Sequence, residues 1–458
     1  MLLILPGNGA AQDETPEGPV YIVKAGDSLW DIAIRFGISM EALALANGIV
    51  DPGQIAEGTQ LVIPGLQGLQ GVLDTVTLPY GETLRSISRQ YQIPIDLFAR
   101  LNRLSSPQEL YTGSSIVIPV SENDLTGYSR SILAPNQSLL ELAVLESRNP
   151  WSLLTYNNLG NSWGVLPGDV LLYQGEEIQG PGALPGAITA VELDPTPLLQ
   201  GKTGVILLDS NEELLLSGNM MGHEVHFFQS QPGKYIALQG VHAMAEPGTY
   251  PMSLEGELTD GTHFSFSQMV PVGAVDYPFD RPLTVDPATI DPTVTGPEDA
   301  QWAALSAPVT PVKMWEYSFA IPSPLPVDYC LETNDCWTSR FGNRRSYNGS
   351  AYNRFHTGLD IVGGSGTEIY APAPGVVVFA GPLTVRGNAT VIDHGWGVYS
   401  AYMHQSEIMV EVGDRVETGQ VIGIVGGTGR VEGPHLHWEI WVGGVQVDPV
   451  DWLGEQFP

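Results

Sequence analysis

The sequence predicts a multidomain protein with three small α+β (βααβ) repeats, a β-sandwich-like middle domain and a mainly β C-terminal domain. A unit recurs in the first 175 residues at a constant offset of 55 residues. The rest of the chain consists largely of short apolar segments separated by glycine and proline turns, which is typical of strands. A chain of 458 residues also exceeds what one compact core usually holds, so several domains are expected.

The charge balance excludes two classes of partner. The chain has 19 Lys and Arg residues against 51 Asp and Glu residues, for a net charge of −32. Such a surface lacks the basic face that nucleic acid or anionic lipid would require. No apolar run has the length of a membrane span, so we expect no transmembrane segment.

The three repeats are predicted at residues 20–65, 73–120 and 128–175. Each begins with a related motif (AGDSL, YGETL and PNQSL) and closes on an apolar run, and the offset also relates Asn47, Asn102 and Asn157. In the first unit, YIV and QLVIP read as strands. The segment between them has helical periodicity, starting after Ser28 and interrupted at Gly37.

This βααβ unit resembles the LysM domain, a carbohydrate-binding module for polymers that contain N-acetylglucosamine, such as peptidoglycan and chitin. The resemblance implies that the repeats hold the protein on glycan strands. The third unit is degenerate, because Glu146 and Arg148 stand where the first two units have apolar residues. We therefore expect weaker glycan binding there. Repeats that serve only as spacers are the alternative.

Residues 188–275 are predicted to form the β-sandwich-like domain, with a spacer or packing role. Its segments GVILL, EVHFF, KYIALQGVHAM, TYPMSLEGEL and THFSFSQMVPV read as antiparallel strands. His223 and His226 do not form a metal motif, because strand alternation places them on opposite faces. A Pro-rich connector follows at residues 276–326, and its Trp302 and Trp315 predict that it packs against a neighbouring domain.

Histidines concentrate near the C-terminus, where five of the nine follow Phe355. FHTGLDIV supplies His356 and Asp360. Strand alternation in GPHLHWEI places His435, His437 and Glu439 on one face of a predicted strand. Catalytic zinc takes three nitrogen or oxygen ligands and keeps one position open. His356, Asp360 and one histidine of the HLH pair would complete such a set, while the other would line the cleft with His404. His394 is interpreted as an ordinary core histidine.

Residues 327–458 resemble the lysostaphin-type (LytM-like) zinc metallopeptidases, which hydrolyse peptide bonds in peptidoglycan. The matching segments run in order: TSRFGNRR, FHTGLDI, APAPGVVVFAG, VIDHGWGVYSAYMH, VGDRVETGQVIGIVGGTG and GPHLHWEI. The resemblance implies one zinc ion per chain, held by His356, Asp360 and His437. It implies that His404 and His435 are catalytic.

Two further features bear on where the protein works. Residues 1–19 are predicted to be either the remainder of a secretory signal peptide or a disordered N-terminus. The two cysteines, Cys330 and Cys336, are predicted to form a disulfide, as in a secreted protein, with two free thiols as the alternative. We therefore expect a secreted or cell-envelope-associated protein.

Together these features predict a secreted, peptidoglycan-binding zinc endopeptidase that hydrolyses the cross-linking peptides of the bacterial cell wall. Its partners would be the glycan strands and the stem and cross-link peptides of peptidoglycan. The alternative is a non-enzymatic LysM and peptidase-like activator of another cell-wall hydrolase. Because the sequence retains every predicted metal ligand, it favours the enzyme.

Overall fold

A computed structural model describes residues 18–66, 68–120, 127–176 and 179–458. The predicted signal or disordered segment, 1–19, therefore lies outside the described residues except for its last two positions. Strands outnumber helices, as the abundance of glycine and proline indicated. Among the described residues, no helix combines the length and the apolar character that crossing a bilayer would require.

The N-terminal region contains three successive groups of two strands and two helices. The first is β1 (Val20–Ile22), α1 (Leu29–Phe36), α2 (Met40–Ala46) and β2 (Gln60–Val62). The second is β3 (Val72–Thr77), α3 (Leu84–Gln90), α4 (Ile95–Leu101) and β4 (Ser115–Val120). The third is β5 (Tyr128–Ile132), α5 (Leu139–Leu145), α6 (Pro150–Tyr156) and β6 (Val170–Gln174).

The recurring asparagine joins the second helix of each group to its last strand. Asn47 donates from Nδ2 to the carbonyls of Leu43 (2.9 Å) and Val62 (2.8 Å), and its Oδ1 accepts the Val62 amide at 2.7 Å. Asn102 and Asn157 make the same three bonds in their own groups. The amide side chain satisfies backbone groups at the helix end and on the strand, which explains why asparagine recurs.

The first two groups share one sheet, because β1 pairs in parallel with β3 in the order β2-β1-β3-β4. The third group has its own β5-β6 pair and is joined to the second by ion pairs from Arg85 and Arg89 to Asp169. The second group also packs on the middle of the chain, where the buried Tyr80 hydroxyl donates to the Met252 carbonyl at 3.0 Å. The second and third groups are therefore tied to each other, and the second is tied to the middle of the chain.

Nine strands form the middle of the chain. They are β7 (Ile188–Asp194), β8 (Leu198–Leu199), β9 (Thr203–Ser210), β10 (Leu215–Met220), β11 (His223–His226), β12 (Phe228–Gln231), β13 (Lys234–Gly240), β14 (Gly248–Glu257) and β15 (His263–Gly273). Two sheets, β11-β10-β14-β15-β8 and β12-β13-β9-β7, enclose one apolar core.

Two strand expectations in this region need correction. The strand predicted over KYIALQGVHAM ends at Gly240, so its last four residues lie outside β13. EVHFF, expected as one strand, is divided at Phe227 between β11 and β12, which belong to different sheets. The chain crosses from one layer to the other at this point, and the apolar pattern alone does not reveal such a crossing.

The C-terminal half consists of a large sheet flanked by short helices. Its helices are α7 (Pro292–Leu305), α8 (Val327–Thr333) and α9 (Pro449–Gly454). Its strands are β16 (Trp337–Ser339), β17 (Arg344–Arg345), β18 (Arg354–Phe355), β19 (Leu359–Ile361), β20 (Glu368–Tyr370), β21 (Gly375–Leu383), β22 (Gly387–Gly395), β23 (Val398–Ile408), β24 (Arg415–Val416), β25 (Val421–Val425), β26 (Leu436–Val442) and β27 (Val445–Val447). The main path runs β16-β19-β26-β23-β22-β21-β24.

The connector packs against this sheet, as its tryptophans predicted. Trp302 on α7 and Trp315 after it are both buried. Glu298, also on α7, accepts hydrogen bonds from the backbone amides of Thr384, Val385 and Arg386 at 2.7 to 3.2 Å. Helix α7 begins at Pro292, after its N-cap Asp291. It is therefore part of the C-terminal body.

The predicted disulfide is confirmed. Cys330 on α8 is bonded to Cys336, which directly precedes β16, and both cysteines are buried in the main apolar core. The bond closes a short loop at the entrance to the C-terminal sheet.

Candidate metal centre and active site

Two neighbouring strands bring the predicted metal ligands together. β19 pairs antiparallel with β26, and in this register Asp360 lies directly opposite His437. Strand alternation buries the apolar neighbours, including Leu436 and Trp438, in the core and turns Asp360 and His437 to the other face. His356 lies in the short connection between β18 and β19, and its ring contacts the side chains of Asp360 and His437.

The three side chains meet atom to atom. His356 Nε2 is 3.0 Å from Asp360 Oδ1 and 3.0 Å from His437 Nδ1, and His437 Nδ1 is 2.7 Å from Asp360 Oδ1. All three residues are buried. Together they form a cluster of one carboxylate oxygen and two imidazole nitrogens with the composition of a metal site.

Hydrogen bonds on the far side of each ring fix which nitrogen faces the cluster. His356 Nδ1 is 2.8 Å from the Arg340 carbonyl, and because a carbonyl only accepts, Nδ1 carries the proton. His437 Nε2 is 3.2 Å from Glu439 Oε1, and by the same reasoning it donates to that carboxylate. When both rings are neutral, two nitrogen lone pairs point at Asp360 Oδ1. A proton on His437 or a metal ion must then lie between the three converging lone pairs, and a zinc ion fits this donor set.

The pKa values follow from the same geometry. Burial lowers the pKa of His356 to about 4, so this ring is neutral. Burial also lowers the pKa of His437, but the hydrogen bonds to Asp360 and Glu439 outweigh it and raise the pKa to about 9. Despite burial, the surrounding histidines His356, His435 and His437 together hold the pKa of Asp360 well below its usual range. His437 thus has a strong affinity for one positive charge, which a metal ion supplies in place of a proton.

A second layer of groups orients His437. Glu439 is buried, and besides His437 it accepts hydrogen bonds from Thr357 Oγ1 (2.6 Å), Trp441 Nε1 (2.8 Å) and Trp302 Nε1 (3.1 Å). Its oxygens are therefore surrounded by donors, and the carboxylate is held in one orientation. A carboxylate behind a ligating histidine is a common support of metal sites.

The two remaining predicted residues stand beside this cluster. The ring centroids of His404 and His435 are 5.1 Å apart, and His435 Nε2 lies 3.5 Å from Asp360 Oδ1. Each Nδ1 donates to a carbonyl, of Thr428 for His404 (2.8 Å) and of Gly433 for His435 (2.9 Å), so each Nε2 is unprotonated in the neutral ring. β26 begins at Leu436, so His435 lies just before this strand, whereas the alternation had predicted it on the strand.

The backbone at His404 is unusual. Its φ of +63° lies in the left-handed region, which non-glycine residues rarely adopt, at an irregularity in the pairing of β22 with β23. The irregularity turns the ring out of the strand's alternation. Burial, with the neighbouring His437 and His435, lowers the pKa of His404 to about 3, so this ring is neutral.

These residues line a cleft of about 690 Å³. One wall comes from the C-terminal sheet, another from the connector at Asp280, Leu283 and Val285, and His242 and Met244 of the middle domain contribute to the edge. The cleft is therefore assembled from three parts of the chain.

Comparisons with known proteins agree with this geometry. Residues 354–449 match Peptidase family M23, and residues 21–64 and 79–119 match the LysM domain. The chain carries LysM domains and a C-terminal M23 peptidase domain. The M23 match contains all five predicted site residues, whereas the third repeat, Trp302 and the middle strands lie outside both matches.

Several relatives are similar to the M23 domain. Peptidoglycan DD-endopeptidase ShyC of Vibrio cholerae is 39% identical over 112 residues, 24% of this chain and 26% of the relative. DD-carboxypeptidase/endopeptidase Mpg of Neisseria meningitidis is 45% identical over 97 residues, 21% of this chain and 22% of the relative. Murein hydrolase activator EnvC of Escherichia coli is 39% identical over 97 residues, 21% of this chain and 23% of the relative. The chain thus spans about a quarter of each relative's length.

Sequence reasoning missed three groups at the M23 site. Glu439 was placed on the histidine face by strand alternation, but its role behind His437 was not predicted. Arg345 has its Nη2 atom 3.4 Å from Asp360 Oδ2. It belongs to the quoted motif GNRR, but nothing in that motif indicates which of its residues contacts the site. Trp302 reaches the site from a segment 137 residues before Glu439, and no local pattern predicts such a contact.

Proposed function

We propose that this chain is a peptidoglycan-binding zinc endopeptidase that hydrolyses the cross-linking peptides of the bacterial cell wall. The observation that carries the proposal is the convergence of three metal-ligating atoms beside two further histidines in an open cleft. Among the relatives of the M23 domain, ShyC is a peptidoglycan DD-endopeptidase by name and Mpg a DD-carboxypeptidase/endopeptidase, which supports the substrate class.

His356, Asp360 and His437 would hold one zinc ion per chain. When bound there, zinc supplies Lewis-acid chemistry, which activates water and polarises a peptide carbonyl. Arg345 and Glu439 position this set, since Arg345 neutralises part of the Asp360 charge and Glu439 fixes the His437 ring.

His404 and His435 would handle protons. Each presents a ring nitrogen that the Nδ1 hydrogen bond leaves free to accept a proton from water or to return it to the leaving amine. The low pKa of His404 keeps its ring neutral and ready to accept a hydrogen bond at neutral pH. Once a ring has accepted a proton, it would also donate a hydrogen bond to the charge that develops on the substrate oxygen.

The N-terminal repeats would hold the enzyme on its substrate. We assign the repeats to residues 20–65, 73–120 and 128–175, the sandwich to 188–275, the connector to 276–326 and the peptidase domain to 327–458. The shared element order and the repeated asparagine bonds support a third LysM-like repeat. Attachment raises the local concentration of substrate at the cleft, and it suits a secreted or envelope-associated protein.

The alternative is an activator of another hydrolase, and the similarity to EnvC gives it a specific basis. An activator does not need a complete metal site. This chain retains the three ligands, the group behind His437 and both additional histidines, and we therefore favour the enzyme.

The test is release of soluble fragments from purified peptidoglycan by the full chain loaded with zinc. We expect release to stop on chelation, to return with added zinc, and to be absent in Asp360→Ala. If the chain is instead an activator, it would release nothing alone. Both the wild type and Asp360→Ala would then stimulate a second hydrolase to the same extent.

A further inference from the structure

Two arginines in the cleft share one aromatic ring. The guanidinium carbon of Arg430 lies 4.6 Å from the ring centroid of Tyr347, and that of Arg354 lies 5.9 Å from it. Both arginines line the same cleft as the metal-site residues. Stacking on the ring holds the planar guanidiniums but does not neutralise them.

The other arginines of this cleft have carboxylate partners. Arg281 pairs with Glu432, Arg345 with Asp280 and Asp360, and Arg386 with Glu298 and Asp299. By contrast, no carboxylate in the described part of the chain forms an ion pair with Arg354 or Arg430. In a chain with 51 acidic and only 19 basic residues, this is an unusual place to leave two cations unpaired.

Arg430 is the more constrained of the two. It is half-buried, and its Nη1 donates to the Thr289 carbonyl at 2.9 Å. Burial and the neighbouring Arg354, Arg345 and Arg386 lower its pKa, so the charges repel one another. An anion bound between the guanidiniums would relieve this repulsion, and planar guanidiniums favour a carboxylate, which accepts two hydrogen bonds at once.

The pair is close to the metal site. Arg345 contacts Asp360 through Nη2 at 3.4 Å and also lies beside Tyr347. One arginine side chain therefore separates the ring from a predicted zinc ligand. An anion held at Tyr347 would therefore lie one side chain away from the proposed zinc site.

We propose that Arg354 and Arg430, supported by Tyr347, bind a free carboxylate of the substrate peptide adjacent to the scissile bond. This inference rests on the proposed function and narrows its substrate class to cross-linking peptides that carry such a carboxylate. Both arginines are binding residues and take no part in proton transfer.

The experiment compares two substrates with the full, zinc-loaded chain: soluble cross-linked muropeptides with free carboxylates, and the same muropeptides with these groups converted to amides. A charge-assisted hydrogen bond contributes about 1.5 to 3 kcal/mol, so Arg430→Gln should raise KM about tenfold or more on the free-carboxylate substrate. On the amidated substrate it should change KM less than about twofold, because no charge-assisted bond remains to be lost. kcat and zinc content should stay near wild type.

Three further variants separate recognition from folding and from net charge. Arg354→Gln should show the same substrate-dependent loss, and Arg430→Lys should restore part of it by keeping the charge. Arg415→Gln removes an exposed arginine on β24 away from the cleft and should behave as wild type on both substrates. Equal losses on both substrates, or no loss, in Arg430→Gln and Arg354→Gln would overturn this inference alone. A wild-type chain that cleaves neither substrate would overturn the proposed function and this inference with it.

Discussion

At the scale of single residues, Asp360 is the centre of the proposed metal site. It contributes the carboxylate at which the His356 and His437 lone pairs meet, and its charge offsets that of the ion. Asp360→Ala should therefore reduce zinc from one ion per chain to nearly none, because a three-ligand site cannot lose a ligand without a large loss of affinity. Elemental analysis after dialysis measures this. Asp414→Ala, an exposed aspartate of the same domain, is the control, and full zinc occupancy in Asp360→Ala would refute the ligand assignment.

His404 and His435 should differ from the ligands in their phenotype. His404→Ala and His435→Ala should retain zinc and lose turnover by about 10²- to 10⁴-fold, the usual contribution of general acid–base catalysis. Zinc content and kcat measured on the same preparations distinguish the two classes. If His435→Ala empties the site while His437→Ala does not, their roles are exchanged. If His404→Ala retains full turnover, His404 is only a neighbour of the cleft.

Glu439 is surrounded by hydrogen-bond donors, so its replacement by an amide should be costly. In Glu439→Gln, the new NH₂ group would face donors in either orientation of the amide. At the Oε2 position these are the indole NH groups of Trp302 and Trp441. At the Oε1 position they are the Thr357 hydroxyl and the His437 ring. We expect zinc affinity to fall about 10- to 100-fold, as for other groups behind a ligating histidine. Competition with a zinc chelator measures the affinity. An unchanged affinity would show that Glu439 has only a packing role.

At the scale of elements, helix α7 should stabilise the C-terminal sheet through Glu298. Its carboxylate accepts three backbone amides of the β21–β22 turn. Glu298→Ala leaves these three donors, of which Val385 is buried, without their partner and should lower the free energy of unfolding by about 3 kcal/mol, measured by urea denaturation. The neighbouring Asp299 is exposed, so Asp299→Ala should cost no more than about 0.5 kcal/mol. Equal effects of the two variants would contradict this role for α7.

The disulfide between α8 and β16 makes a smaller contribution. Cys330 and Cys336 close a loop with a sequence separation of 6, so their bond should stabilise the fold by about 2 to 3 kcal/mol in the chain-entropy model. The double Cys→Ala variant should unfold at correspondingly lower urea concentration and keep its zinc. Mass spectrometry that finds two free thiols in protein from an oxidising compartment would contradict the bond.

Local patterns explain which elements could be predicted. The 55-residue offset predicted three βααβ groups. This prediction was possible because equivalent positions, such as Asn47, Asn102 and Asn157, make the same backbone hydrogen bonds in each group and so keep the same residue. Strand alternation predicted that His435, His437 and Glu439 share a face. By contrast, the division of EVHFF between two sheets and the contact of Trp302 with Glu439 depend on long-range packing that no local period encodes.

At the scale of the whole molecule, the repeats should anchor the chain on the wall. The Asp360→Ala variant of the full chain, which should not digest its ligand, is expected to sediment with insoluble peptidoglycan at both low and high salt. Removing residues 1–66 leaves one LysM match and should weaken retention, because two linked modules bind more tightly than one. Full-length protein that stays in the supernatant at both salt concentrations would refute anchoring. The full chain is preferred to an isolated fragment, since Tyr80 of the second repeat is buried against the middle domain.

The central claim is that the zinc site cleaves a peptide bond of the wall. Its most direct measurement is mass spectrometry of the fragments that the zinc-loaded full chain releases from purified peptidoglycan. We predict cross-linked muropeptides converted to uncross-linked ones with a gain of one water per cleaved bond, intact glycan linkages, and no conversion by Asp360→Ala. Cleavage in the glycan, or unchanged cross-linked muropeptides from protein with full zinc occupancy, would contradict it.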